Sequence, residues 1–196
     1  MIAGLLSRFD KMYFVRFAII FLGLHFFHLF YYGVTVPGGS LYSSFLQQHL
    51  NYIEWVKNMI LYNSNLITRF FGFTTYIEDH LSLKVFGGSG VSLNFACLGL
   101  DLCSFWFAFI VAHQIVWWKR VYWSLLGIVL IGFINCCRIA LLLISMERGW
   151  KEPSFIDHHD LFNLACYALI FLLLYLFIQT GENEQPERLS IPETQG

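Results

Sequence analysis

Four stretches of this chain are apolar enough that only one solvent satisfies them all: Met12–Val34, Leu98–Trp118, Val121–Met146 and Leu161–Gln179. A helix needs roughly 20 apolar residues to cross a hydrocarbon core of about 30 Å. Each stretch runs about that far with few or no charged side chains. Apolar residues make up 57% of the 196 positions and charged ones 13%, with 21 phenylalanines. A soluble core of this size cannot bury so much apolar surface, so the chain reads as an integral membrane protein. One membrane domain over residues 1–180 is expected, all-α and polytopic, with a polar tail over 181–196 read as disordered and cytoplasmic. A formal charge of −1 and the lack of a basic patch argue against nucleic acid as a partner. The five cysteines show no CxxC pair or metal-finger spacing, and neither a metal nor an organic cofactor is expected.

Charge sets the expected orientation. Arg8, Lys11 and Arg16 flank the first span, while Lys119 and Arg120 fill the expected turn between the second and third. Basic residues favour the cytoplasmic side. The amino terminus, that turn and the tail therefore lie inside, and residues 35–96 and the 147–160 loop outside. Within the outer segment, Leu41–Phe70 has apolar residues at helical spacing (Phe45, Ile53, Val56, Ile60, Ile67) interrupted by Gln47, Gln48, His49, Glu54, Lys57 and Asn58. So many polar groups would be costly in lipid, so an interfacial amphipathic helix is expected rather than a span. Two β-prone runs, Thr75–Phe86 and Val91–Phe95, flank Gly87-Gly88-Ser89-Gly90 and read as a short hairpin.

With this topology, residues far apart in sequence converge on the outer face. Cys97 stands at the mouth of the second span, His158 and His159 at the mouth of the fourth, and Arg138 in the outer part of the third. A thiol near a cation gains thiolate character. A histidine can take the thiol proton and return it to a leaving amine. An arginine can stabilise an oxyanion in a water-poor site. These are the parts of a cysteine transpeptidase or protease, although one Cys, one Arg and one His are not specific by spacing alone. Arginine inside an apolar run is costly and usually faces a bundle interior or cavity. Asp101, one turn inward of Cys97 on the same helix face, is expected to pair with Arg138 and support it. Asn135, one turn from Arg138, could orient it, bind substrate backbone or satisfy a neighbouring helix. Cys136 and Cys137 adjoin Arg138 but lie deeper, where water is scarce.

"ACLGL" (96–100), "NCCRI" (135–139) and "HDLFN" (159–163) resemble the three signature blocks of the exosortase/archaeosortase family. Those blocks are a cysteine with glycine two residues on, an asparagine three before an arginine, and a histidine opening a helix. The resemblance covers roughly residues 92–171. It implies a membrane enzyme that cuts a carboxy-terminal sorting signal of a membrane-anchored secreted protein and transfers the new carboxyl end to an acceptor. It also implies Cys97 as nucleophile, Arg138 as transition-state stabiliser and His159, rather than His158, as acid/base. The setting would be the outer face of a prokaryotic cytoplasmic membrane. The chain departs from the family at Leu98, where serine is common, and at Asn163, where glycine is more usual.

Two other classes compete. Histidines within spans can ligate haem, and His25, His28 and His113 are the candidates. Their partners at matching depth are not evident, and polar ties between helices explain His25 and His28 better. A non-catalytic scaffold or transport subunit would leave the convergence of Cys97, Arg138 and His159 unexplained.

Overall fold

The computed structural model describes residues 11–37, 41–113, 115–150 and 158–182, with side chains for all of these except 158–163, 165, 166, 181 and 182. The expected disordered tail lies, from 183 onward, outside the described residues. The elements in chain order are α1 (Lys11–Thr35), α2 (Ser44–His49), α3 (Tyr52–Phe70), β1 (Thr75–Glu78), β2 (Ser82–Val85) and β3 (Gly90–Ser92). A single 3-10 turn (Phe95–Leu98) leads into α4 (Leu100–Ala112), α5 (Trp117–Glu147) and α6 (His158–Glu182). About three quarters of the chain is helical, with one small three-stranded sheet.

Of the four expected spans, α1 and α5 are long and apolar enough to cross a membrane. The 13 residues of α4 make about 20 Å at 1.5 Å per residue, short of the expected Leu98–Trp118 crossing. The described apolar part of α6, Tyr167–Thr180, is also shorter than a crossing. The boundary between the second and third stretches moves too. At the end of α4, His113 turns to extended backbone, and α5 begins at Trp117. Lys119 and Arg120 therefore belong to the first turn of α5, not to the connection. Basic groups oppose the helix dipole there, and Arg120 Nη2 instead donates to the carbonyls of His113 (3.1 Å) and Ile115 (3.3 Å). Hydropathy missed the turn because it holds only two polar residues, His113 and Gln114, between long apolar stretches.

The helices pack through aromatic and polar contacts. α1 runs antiparallel to α4. Tyr13 meets Phe109 and His113 at one end, Phe17 meets Phe105, and Tyr32 stacks near Phe95 at the other. Between these contacts His25 Nδ1 lies 2.8 Å from the Asp101 carboxylate, and His28 Nε2 lies 3.0 Å from Ser104 Oγ. Both histidines thus tie helices together. α4 and α5 interlock at Trp106, which is fully buried and donates Nε1–H to the Trp123 carbonyl at 2.9 Å. Gly127 makes the room, since a Cβ there would fall 1.9 Å from Trp106 Nε1.

α5 has 31 residues, about 46 Å, so it outruns the bundle and carries a cap on its Glu147 end. The cap core joins Ile53, Ile60 and Leu61 of α3 and Leu83 and Val91 of the sheet to Ile139 and Leu143 of α5. The expected single helix over 41–70 is broken at Leu50-Asn51, where Asn51 Oδ1 accepts the Glu54 N–H at 3.2 Å and starts α3 afresh. α3 buries Ile53, Ile60, Leu61, Ser64, Asn65 and Thr68 and leaves Trp55, Met59, Tyr62 and Leu66 exposed on another face. The expected hairpin is a three-stranded antiparallel sheet in the order β1-β2-β3. Asp79 and His80, at φ 49° and 55°, turn the chain within what reads as one β-prone run; aspartate and histidine are among the side chains that tolerate this region. The glycine-rich turn lies between β2 and β3, as expected. Glu147 Oε2 accepts the Ser89 N–H at 2.8 Å, which pins that turn to the end of α5.

A buried polar knot fixes sheet to helix. Thr75 Oγ1 donates to Asn65 Oδ1 at 2.6 Å and lies 2.9 Å from Thr68 Oγ1, while Arg69 Nη2 donates to the Thr75 carbonyl at 3.0 Å. Thr75→Val keeps the shape but strips a buried acceptor of its donor, a loss of about 1–3 kcal/mol. The unfolding midpoint of detergent-purified Thr75→Val should fall clearly, whereas Thr75→Ser, which keeps the hydroxyl, should stay close to wild type.

Candidate functional site

The segment Asn94-Phe95-Ala96-Cys97-Leu98-Gly99 is a local device for holding a thiol. Asn94 caps the 3-10 turn, its Oδ1 accepting the Cys97 N–H at 3.0 Å, as asparagine does well at a helix start. Gly99 then takes φ 73° and ψ 13°, closing the turn and opening α4. Crowding is not the reason for glycine: a Cβ would meet the Asn135 side chain at ordinary distances of 3.5 Å or more. The reason is the left-handed backbone, which costs other residues roughly 1–2 kcal/mol.

A second element fixes the turn from across the bundle. Asn135 of α5 is buried, and its Nδ2 donates to the Cys97 carbonyl at 2.9 Å. Arg138 lies three residues on and so projects from the same side of α5. Asn94, Cys97, Asp101, Asn135 and Arg138 line one cavity of about 320 Å³, which α6 completes through Tyr167 and Ile170. Of the cysteines whose side chains are described, Cys97 lines this cavity, whereas Cys103, Cys136 and Cys137 do not. The candidate nucleophile, the arginine and the supporting asparagine and aspartate therefore meet.

Asp101 has a partner that the sequence did not suggest. Its carboxylate is tied to His25 of α1, so it links the cavity wall to that helix. His28, one turn farther along α1, lies 2.6 Å from the Tyr52 hydroxyl through Nδ1. Burial, and secondarily the neighbouring Tyr31, push the Tyr52 phenol up to about 12, so it stays a neutral donor. His158 and His159 open α6; their side chains, with that of Asn163, lie outside the described ones. Among the described residues no group of three histidines, cysteines or carboxylates is placed to hold a metal ion.

Sequence reasoning missed Asn94 and Tyr167. Asn94 was detectable, because a capping side chain three residues before the residue whose N–H it accepts is a recognisable start signal. Tyr167 carried no signal within a uniformly apolar helix. Compared with known proteins, the chain matches no family model, no curated protein and no solved structure.

Asn135→Ala removes the only described tie between α5 and the Cys97 carbonyl. A lost bond of about 1.4 kcal/mol is a tenfold change in an opening equilibrium. Amide hydrogen exchange over residues 95–99 should therefore speed up about tenfold in this variant, with little change in the sheet. Unchanged exchange would show that the turn is held by Asn94 and Gly99 alone.

Proposed function

We propose that this protein is an exosortase-like cysteine transpeptidase or protease, acting on a carboxy-terminal sorting signal at the outer face of a prokaryotic cytoplasmic membrane. The observation that carries the reading is the single cavity lined by Cys97, Asn135 and Arg138, with the thiol on a capped turn. In this reading α1, α4 with its flanking turns, α5 and α6 are the four spans, and the cap of α3 and the sheet stands at the outer face. The exposed Trp55–Leu66 stripe of α3 fits a helix lying in the lipid interface.

The depth of the thiol follows from its neighbours on α1. Phe95 pairs with Tyr32 and Asp101 with His25, so Cys97 lies between those levels. It is recessed by on the order of 10 Å from the Thr35 end of α1, at 1.5 Å per residue. A peptide would thus meet the thiol within the bundle and not on its surface.

The chemistry is acyl transfer. The Cys97 sulfur attacks the scissile carbonyl carbon, and His159 accepts the thiol proton. Negative charge gathers on the carbonyl oxygen, where the Arg138 guanidinium stabilises it. As the C–N bond breaks, the proton passes from His159 to the departing amine, leaving a thioester on Cys97. An acceptor nucleophile, or water in a simple protease, then displaces the thiolate and releases the new carboxyl end. Asn135 works through the turn, as a positioning residue.

The test uses a co-expressed membrane protein ending in a candidate sorting signal, with its processing followed by size shift. Cys97→Ala should abolish cleavage, and Arg138→Ala should slow it about a hundredfold or more, the scale of losing an oxyanion donor. Cleavage that persists at the wild-type rate in Cys97→Ala would contradict the reading.

A further inference from the structure

Asn94, Cys97, Asn135 and Arg138 stand toward one end of the cavity, and Asp101, one turn inward of Cys97, lines one wall with its carboxylate held by His25. From Arg138, the lining on α5 continues inward to Ile134 and Ile131, seven residues or about 10 Å away. Leu102 of α4 and Ile170 of α6 complete this inner half. Its floor is solid: Ile131 and Ile170 pack with Trp106 and Phe177 in one buried cluster. α4 and α6 meet there, where Phe177 packs edge-on against Trp106, Phe109 and His113. Nearer Cys97, both helices line the cavity, α4 through Asp101 and Leu102 and α6 through Tyr167 and Ile170. The space is therefore a cleft with the thiol at its polar end, Asp101 on one wall and Leu102, Ile131, Ile134 and Ile170 around its inner part.

Its size limits what can enter. About 320 Å³ is at the small end of the roughly 300–1,000 Å³ range of ligand pockets, and a helix with side chains is about 10–12 Å across. No helix fits. On the reading of Cys97 as nucleophile, we infer that the inner half is a specificity pocket for one large apolar side chain of the residue adjoining the scissile bond. The substrate must then be extended at that bond, even where it is helical in the bilayer on either side. A polar side chain would leave its hydrogen-bonding groups unmet against Leu102, Ile131 and Ile170, so the pocket selects against it.

The pocket can be probed without a substrate. Linear alkyl methanethiosulfonates transfer an alkylthio group to a thiol and release methanesulfinate, and mass spectrometry of the Cys97 peptide reads the rate. Each buried methylene can add up to about fourfold. The hexyl-to-methyl rate ratio at Cys97 should be at least about tenfold larger in the wild-type protein than in Ile134→Trp, which fills the cleft. Gel filtration identifies a misfolded variant, and in that event Ile170→Ala decides: its deeper pocket should move the preferred chain to greater length. A ratio unaltered by Ile134→Trp in a folded protein, or an unshifted preference in Ile170→Ala, overturns the pocket. These rates do not depend on catalysis, so a flat series with cleavage still lost in Cys97→Ala would refute the pocket and leave the nucleophile standing. A steep series with cleavage intact in Cys97→Ala would do the reverse.

Discussion

One hydrogen bond, from Asn135 of α5 to the carbonyl of Cys97, joins the two parts of the chain on which the site depends. On one side stands a short turn whose geometry is local: an asparagine cap, four residues of 3-10 helix and a left-handed glycine. On the other stands the longest helix, which also carries the arginine. Without that bond the thiol would hang on its own turn, and its distance from Arg138 would follow every movement of α4 relative to α5. Asn135 is buried, so losing the bond would leave its donor unmet.

α5 serves as a common mast. Near its start it receives Trp106 over Gly127, in its middle it presents Asn135 and Arg138, and at its end Glu147 holds the glycine-rich turn of the sheet. Its length beyond a bilayer's thickness lets one rigid element reference both the aromatic floor of the cleft and the cap above it. α1 contributes through two histidines, and the first of these binds Asp101, a carboxylate on the cavity wall. A polar residue in an apolar helix is costly unless partnered, so the His25–Asp101 contact settles two such residues at once.

Much of this was legible in the sequence. The long apolar runs announced the helices, and the expected topology placed Cys97 and Arg138 near one face, where they line one cavity. What stayed hidden was backbone detail that hydropathy does not encode. The break at Leu50-Asn51 depends on a capping side chain, the extra strand on left-handed Asp79 and His80, and the early end of α4 on a four-residue connection, His113 to Val116, whose two polar residues are averaged away between apolar helices. Asp101 illustrates a different gap. Helical spacing placed it near Cys97, but its partner came from another helix, and no spacing rule could choose between His25 and Arg138.

If Cys97 is the nucleophile, its sulfur carries an acyl bond to the substrate during turnover. The most direct test is the mass of the Cys97 peptide after a brief reaction with a processed membrane-anchored substrate, with and without hydroxylamine. The expected result is an adduct equal to the acyl part of the cleaved substrate, on Cys97 and removed by hydroxylamine. Cleavage with no adduct at Cys97, or an adduct on another cysteine, would contradict it.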